Sequence, residues 1–518
     1  MLNNIIKSKI NKLWETLWSG GLTNPASSIE QISYLLFIRR LDIVDSQRSA
    51  IHKSYKSIFS STFKVPETEK EIDGQLLRWS VFTKNVQDYE ALRRHIEVNV
   101  FSFLKNLKAI DEPFSRYMKN AYFGIQKASL LKSTIEFIEE IYREIDKEVK
   151  NGQEFQDIQG DIYEYLLNQL AISGKNGQFR TPRHIIQLMC ELVDPKVGDK
   201  IADPSCGSGG FLVAAFQHIL KGFTSDKFII EDENGFKKGT KADTLPQNKR
   251  KVLDEQSFYG FDIDINMVRM SLMNLMMHGI MHPNIEYNDT LSKRYNEDDT
   301  YDIMLANPPF KGSIDTSDIN PNLKIGKLGS KTELLFVERI IKSLKTQGRA
   351  GIIIPDGVLF GATKAHKSLR KMLLEECSVD AIISMPSGVF RPYAGVSTAI
   401  IILTKGKPST NVWFYELKSD GYTLNDERKK IPNDYPLRFL LNEWKKRNVD
   451  LDLDRKSISF FVPIKEIEKN AYDLNISTYK QHEYISKEYE SPRQILTRLE
   501  QFEKEITSEI SELSKMLK

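Results

Sequence analysis

The stretch Ile201-Ala202-Asp203-Pro204-Ser205-Cys206-Gly207-Ser208-Gly209-Gly210-Phe211 leaves this chain few folds to choose from. A short strand, residues 199–202, runs into an Asp-Pro turn; glycines follow, and the run 211–220 continues with helical spacing. Strand, glycine-rich turn and helix in that order belong to a doubly wound parallel sheet, where glycines let a ligand approach the backbone at a helix N-terminus. The acid that ends the strand narrows the ligand. Asp203 would repel the pyrophosphate of a dinucleotide, which disfavours an oxidoreductase, and would attract the ammonium and sulfonium of S-adenosylmethionine.

Alternation of strand and helix continues downstream. Residues 258–263 read as a second strand, with Asp262 able to chelate ribose hydroxyls. It lies over twice the usual distance of about 20 residues beyond the glycines. The excess, residues 222–255, is polar and rich in Lys, Asp and Gly, and reads as a surface insertion. A third strand, 284–287, leads to Asp289, which can accept from the amino group of a cofactor adenine. A fourth, 301–306, leads into Asn307-Pro308-Pro309-Phe310. Strands at 349–355, 379–385 and 397–404 follow; the last two are close enough for an antiparallel hairpin closing an otherwise parallel sheet, and 412–417 is a last strand candidate. Ligands of such sheets bind at the carboxyl ends of the strands, where Asp203, Asp262, Asp289 and Asn307 all fall.

Asn307 and its neighbours suit an amino acceptor. An exocyclic amino group on a nucleobase has its lone pair conjugated into the ring, so its hydrogens must be polarised before nitrogen can attack an electrophile. The Asn307 side-chain carbonyl can take one hydrogen. Pro308 and Pro309 stiffen the turn so that a main-chain carbonyl can take the other. Phe310 offers a flat face for a base.

The flanks read differently. From residue 2 to about 170 the apolar positions recur at three and four, interrupted at Gly20-Gly21, Asn24-Pro25 and Asp73-Gly74. Arg39-Arg40 reads as a solvated helix face, with phosphate contact as the sharper option. Before the glycine-rich stretch comes the polar loop 174–182, in which Thr181 reads as the N-cap of a helix whose first turn holds Pro182. Residues 311–331, rich in Gly, Ser and Lys, are expected either to order only on DNA or to form a flexible surface loop. Near the end, Ile495, Leu499, Phe502, Ile506, Ile510, Leu513 and Leu517 repeat in steps of three and four, a coiled-coil seam for the chain's own N-terminal helices or for a partner. Three unpaired cysteines among 518 residues point to a reducing, cytoplasmic setting without structural zinc, and no apolar run is long enough for a membrane span. The formal charge of +3 implies that any nucleic acid is met by local clusters or through a partner.

Taken together, Gln178-Phe179-Arg180-Thr181-Pro182, the glycine-rich stretch from Asp203 and Asn307-Pro308-Pro309-Phe310 resemble the N6-adenine DNA methyltransferases. More narrowly, with Leu13-Trp14 and the run 34–42, they resemble the modification subunit of type I restriction-modification systems. The resemblance implies an α/β fold: a Rossmann-like, S-adenosylmethionine-dependent, mostly parallel sheet with an antiparallel hairpin. An all-α domain (1–165) precedes the catalytic domain (166–420), and a partner-docking helical region (421–518) ends in the coiled-coil-like helix. It implies transfer of a methyl group to the N6 of adenine flipped from double-stranded DNA. Asn307, Pro308, Pro309 and Phe310 would be catalytic. Gln178, Phe179 and Thr181 would stand at the methionine end of the donor, Asp203 on its amino group, Ser205, Gly207, Ser208 and Gly209 along the loop, Asp262 on the ribose and Asp289 on the adenine, with no metal. Ser205 stands where the family often has alanine. The implied partners are a DNA specificity subunit, with two copies of this chain on each, and a nuclease and translocase subunit. N4-cytosine, RNA and protein-glutamine methylation, and a non-catalytic scaffold, remain alternatives.

Overall fold

Helix α1 (Asn4–Ser19) starts where the Asn3 side chain accepts from the Ile6 N–H at 2.8 Å, buries Ile6, Ile10, Leu13 and Leu17 on one face, and stops at Gly20. Helix α2 (Pro25–Ile51) opens on a proline, whose missing N–H has no partner to lose in a first turn, and is buried on nearly all sides over residues 28–41. Helix α3 (Ala128–Lys150) lies along α1, with Lys9 donating to Glu140 at 2.6 Å, and α4 (Phe155–Ile172) closes the helical layer. A hairpin, Thr62–Lys64 with Glu71–Asp73, interrupts the helices. The computed structural model describes residues 2–51, 54–107, 112–150, 155–172, 181–392, 394–450, 454–481 and 492–517, in two compact units, Met1–Tyr479 and Lys480–Lys518.

Arg39 and Arg40 form neither a solvated face nor a phosphate contact. Arg39 donates to Glu139 at 2.9 Å and lies over the Tyr142 ring, while buried Arg40 donates to Gln159 at 2.7 Å. Carboxylate, ring and amide within their own helical layer take up both guanidinium groups.

The nine-stranded sheet comprises β1 (Ile201–Asp203), β2 (Phe258–Asp262), β3 (Asn284–Tyr287), β4 (Tyr301–Ala306), β5 (Leu344–Pro355), β6 (Cys377–Met385), β7 (Thr398–Lys405), β8 (Asn411–Glu416) and β9 (Ser459–Pro463), in the order β9-β8-β6-β7-β5-β4-β1-β2-β3. Parallel pairing joins β4, β1, β2 and β3, joins β4 to β5, and joins β6 to β8. The expected hairpin of β6 and β7 is present and antiparallel. It does not close the sheet: β7 slots between β5 and β6, antiparallel to both, and β8 and β9 continue beyond. Burial on both faces explains the unbroken Ile400-Ile401-Ile402-Leu403 run in β7. Strand β9 was not expected, because its apolar core is only Phe460-Phe461-Val462 within charged sequence. Insertion 222–255 forms a small hairpin, Ile230–Glu231 with Lys237–Lys238, and a helix, Gln247–Gln256.

Helices α5 (Arg183–Val193), α6 (Gly210–Lys221), α7 (Ile265–Met277), α8 (Thr332–Ser343) and α9 (Lys364–Glu376) accompany the sheet. Helix α7 is buried from Met267 to Met277, because it contacts strands β2 and β3 as well as the N-terminal helices α2 and α4. Arg269 on it donates to Glu30 at 2.9 Å and to the Tyr117 carbonyl at 2.9 Å, and the Tyr117 hydroxyl accepts from the Tyr287 N–H of β3. The helical layer is thereby tied to the sheet.

In the second unit, helix α10 (Pro492–Met516) carries Ile495, Leu499, Phe502, Ile506, Ile510 and Leu513 exposed in steps of three and four. Among the described residues no helix is long and apolar enough to cross a membrane, and no group of three or more His, Cys, Asp or Glu could hold a metal ion.

The Arg269–Glu30 pair is buried on both sides. Removing one partner strands the other, at a cost of about 3–5 kcal/mol. Urea titration of Glu30→Ala is expected to register a loss of that size; a change below about 1 kcal/mol would mean that the pair does not brace the two layers.

Candidate active site

The carboxyl ends of β4, β1, β2 and β3 lie side by side and open into a cavity of about 440 Å³. Its wall is made by Ser205, Gly207 and Ser208 of the glycine loop, Asp262 and Asp289 at the strand ends, and Asn307, Pro308, Pro309 and Phe310 after β4. Residues about a hundred positions apart in sequence thus share one chamber. Leu167 of α4 and Met267 and Met270 of α7 also line it, so the helical layer supplies part of the wall.

The loop is held by its neighbours. Gly207 (φ +51°) and Gly209 (φ +77°) both adopt left-handed backbone. The Gly207 N–H donates to the Asp262 carboxylate at 2.9 Å, and the other oxygen of Asp262 accepts from the Asp264 N–H at 2.8 Å. Asn274 of α7 donates to the Ser208 carbonyl at 2.8 Å, and Thr290 to the Pro204 carbonyl at 3.1 Å. Neither residue was singled out in the sequence. Asn274 had a visible signal, a lone amide in the apolar run from Leu272 to Met277.

Asp203 stands just behind the wall. It is 1% exposed, accepts from the Ser205 N–H at 3.0 Å, and is pushed up to about 8 by burial, with the charge of Asp262 adding to the shift. Burial also raises Asp262, against the pull of its two backbone hydrogen bonds. Asp289 lines the cavity and accepts from the Leu291 N–H, closing an Asx turn. The Ser205 hydroxyl is buried without a hydrogen-bond partner among the described residues.

Asn307 is oriented by Thr181. Its amide nitrogen donates to the Thr181 hydroxyl at 2.8 Å, and Oδ1 is buried with no partner among the described residues. Thr181 is therefore not a helix cap: Pro182 holds that position without a side-chain bond, and the hydroxyl turns to Asn307 instead. Phe310 is buried and packs edge to face on Phe390 at 5.5 Å, a ring with no sequence signal of its own. Gln178 and Phe179 lie outside the described residues.

Loop 311–331 packs on its neighbours, against the expectation of a merely flexible surface loop. Ile319, Leu323 and Ile325 are buried, the Asn320 amide donates to the Ser292 and Tyr295 carbonyls, and Glu338 accepts from the Lys324 and Ile325 N–H groups.

The model of the N-6 DNA methylase family matches residues 154–488, and that of the HsdM N-terminal domain matches residues 6–138. The chain belongs to the N-6 DNA methylase family. Within it, the chain groups with the modification subunits of type I restriction-modification systems. It is 31% identical, over 81% of its length and 78% of the relative's, to the type I restriction enzyme EcoEI methylase subunit of Escherichia coli. A structure described as underlying complex assembly and conformational transition of the type I R-M system is 25% identical and covers 98% of each chain at a TM-score of 0.64. The type I methyltransferase subunit of Streptococcus thermophilus shares the fold at a TM-score of 0.66, with 20% identity over 92% of this chain and 99% of that one. As a member of this family the chain is an adenine-specific DNA methyltransferase.

At Gly209 an added Cβ would sit 2.6 Å from the Ser271 hydroxyl and 2.7 Å from Leu275, at a φ that side chains avoid. Gly209→Ala is expected to displace the loop, weakening donor binding at least about tenfold and lowering stability by about 1–3 kcal/mol. Equilibrium dialysis and thermal melting test both; wild-type values in both would show that the loop tolerates the methyl.

Proposed function

We propose that this family activity runs in the cavity at the strand ends, with S-adenosylmethionine on the glycine-loop side and an adenine everted from double-stranded DNA on the Asn307 side. The observation that carries this reading is the Asn307 amide: Thr181 takes its nitrogen, and its buried oxygen is left over in the wall that faces the loop. A buried acceptor without a partner costs about 1–3 kcal/mol, which a ligand N–H would offset.

The donor side fits the cation proposed for it. Asp203 is a buried acid one residue behind the wall, Asp262 keeps lone pairs for ribose hydroxyls beyond its two backbone bonds, and Asp289 is positioned for an adenine amino group. The unpartnered Ser205 hydroxyl is a further polar contact on that side. Phe179 and Thr181 would flank the methionine end. Bound there, S-adenosylmethionine supplies a methyl group on a sulfonium whose departing thioether is neutral.

On the acceptor side, Asn307 Oδ1 accepts one amino hydrogen and the Pro308 carbonyl the other, drawing electron density onto the nitrogen. Pro309 holds the turn, and Phe310 with Phe390 walls the base, a stacking contribution of roughly 1–3 kcal/mol that offsets part of the cost of base flipping. Asn307 cannot hold a proton, so the surplus proton leaves to water and no residue acts as general base. Because Thr181 binds Asn307 while flanking the donor, it would set acceptor and donor in register. N4-cytosine, RNA and glutamine amides offer similar hydrogens; the family match favours adenine.

Site choice would come from a specificity subunit docked on the exposed apolar row of α10, two copies of this chain per specificity subunit, with a nuclease and translocase subunit joining the complex. Methylation of a defined site should then require the specificity subunit; strong site-specific methylation by the isolated chain would contradict that dependence.

Asn307→Ala is expected to retain donor binding within about twofold while transfer falls by about 100-fold or more, the scale seen when a single preorganised polar group is lost. Single-turnover methylation and calorimetry separate the two, and a near-normal rate would remove Asn307 from the site. Asp203 leads to a separate test. An acid that keeps its proton up to about pH 8 in the free chain loses it when a cation binds beside it. Donor affinity is therefore expected to rise as the pH is raised toward 8. Calorimetry at neutral pH in buffers of different ionisation heats should record release of about one proton, absent in Asp203→Asn. Binding without proton release would show that the donor cation lies elsewhere.

A further inference from the structure

Beside the cavity wall stands a set of lysines that the reaction does not use. Lys311 directly follows Phe310 of the cavity wall and is exposed. Lys331 precedes wall residue Thr332 and is bridged across the loop to wall residue Ser313. Segment 327–331, with Lys327 exposed, packs on the first turn of helix α9 (Lys364–Glu376): a Cβ on Gly329 would touch Ala365 at 3.7 Å. That first turn presents Lys364 and Lys367, both exposed and three residues apart, with buried Ala365 and His366 between them anchoring the helix.

Among the described residues, carboxylates pair with this group only at Lys331. Glu333 stands 3.9 Å from Lys331, and Asp315 and Asp318 are exposed on the same loop. At the far end of α9, Glu375 pairs with Lys371 and Glu376 with Lys324. No ion pair joins Lys311, Lys327, Lys364 or Lys367 to an acid among the described residues. Like charges three apart on a helix repel, so the arrangement gains from an anion laid across it. In a chain whose formal charge is only +3, this concentration at the rim is a local feature.

We infer that Lys311, Lys327, Lys331, Lys364 and Lys367 form the seat for the phosphates of the DNA strand that delivers the target base. This rests on the functional reading above and adds to it the surface by which the backbone is held. The buried Ile319, Leu323 and Ile325 and the bridge from Ser313 to Lys331 hold the loop that carries three of these cations. Phosphate contacts fix the register of the strand and carry no sequence information, so these lysines position whatever base the specificity subunit selects.

The test uses the complete complex of this chain with its specificity subunit. Charge reversal in Lys364→Glu/Lys367→Glu is compared with Lys196→Glu/Lys407→Glu, the same change in charge at the amino ends of the parallel strands, on the opposite edge of the sheet. DNA affinity is measured between about 50 and 200 mM salt, donor affinity by calorimetry, and N6-methyladenine in the parental complex by mass spectrometry. The rim variant is expected to bind DNA at least about tenfold more weakly, with a salt slope shallower by about two and donor affinity unchanged, while the control variant keeps the parental slope. Parental affinity and slope in a folded rim variant, beside a parent that methylates, would overturn the rim alone. A parent that binds donor yet forms no N6-methyladenine would overturn the functional reading and the rim with it.

Discussion

Everything at the site depends on the parallel pairing of β1 with β4. Ile201 lies opposite Ile303 and Ala202 opposite Met304, so the two strands end together although about a hundred residues separate them. Adjacent strands stand roughly 4.8 Å apart, and that spacing brings the glycine turn after one strand beside the proline turn after the other. A slip of one residue would send every side chain of β4 to the other face of the sheet and carry Asn307 away from the loop. Register is held by burial: Ile303, Met304, Leu305 and Ala306 are fully enclosed.

Around that pair the chain builds rigidity from behind. Helix α7 touches sheet and helical layer together, and the same helix supplies the Asn274 contact to the loop carbonyl. Asp262 serves twice, as a carboxylate facing the cavity and as the acceptor that pins Gly207. The N-terminal helices are therefore part of the active architecture: without Glu30 and Tyr117 holding α7 and β3, the loop would lose its backing.

Most of this was legible in the sequence because strand ends announce themselves. Asp203, Asp262 and Asn307 each end or follow a short apolar run and Asp289 follows the short strand 284–287, and three of the four stand in the wall of one cavity with the fourth immediately behind it. What escaped was information that sequence does not hold locally. Thr181 has the letters of a helix cap, yet its hydroxyl is claimed by Asn307 from 126 positions away. Arg39 and Arg40 look like surface charge until Glu139 and Gln159 come in from another helix. The place of β7 inside the sheet follows from a crossover choice, and β9 is too short to stand out from its charged surroundings. Phe390 became relevant only because the hairpin turn folds back over Phe310.

The folded state of loop 311–331 has a thermodynamic consequence. Fixing a backbone residue costs about 1–2 kcal/mol, so a lobe of this length that ordered only on contact would draw heavily on the energy of association. Here the enclosure of Ile319, Leu323 and Ile325 has already met that cost within the protomer. On the proposed reading, a duplex laid beside this loop would meet an enclosed apolar core and would touch its surface side chains only.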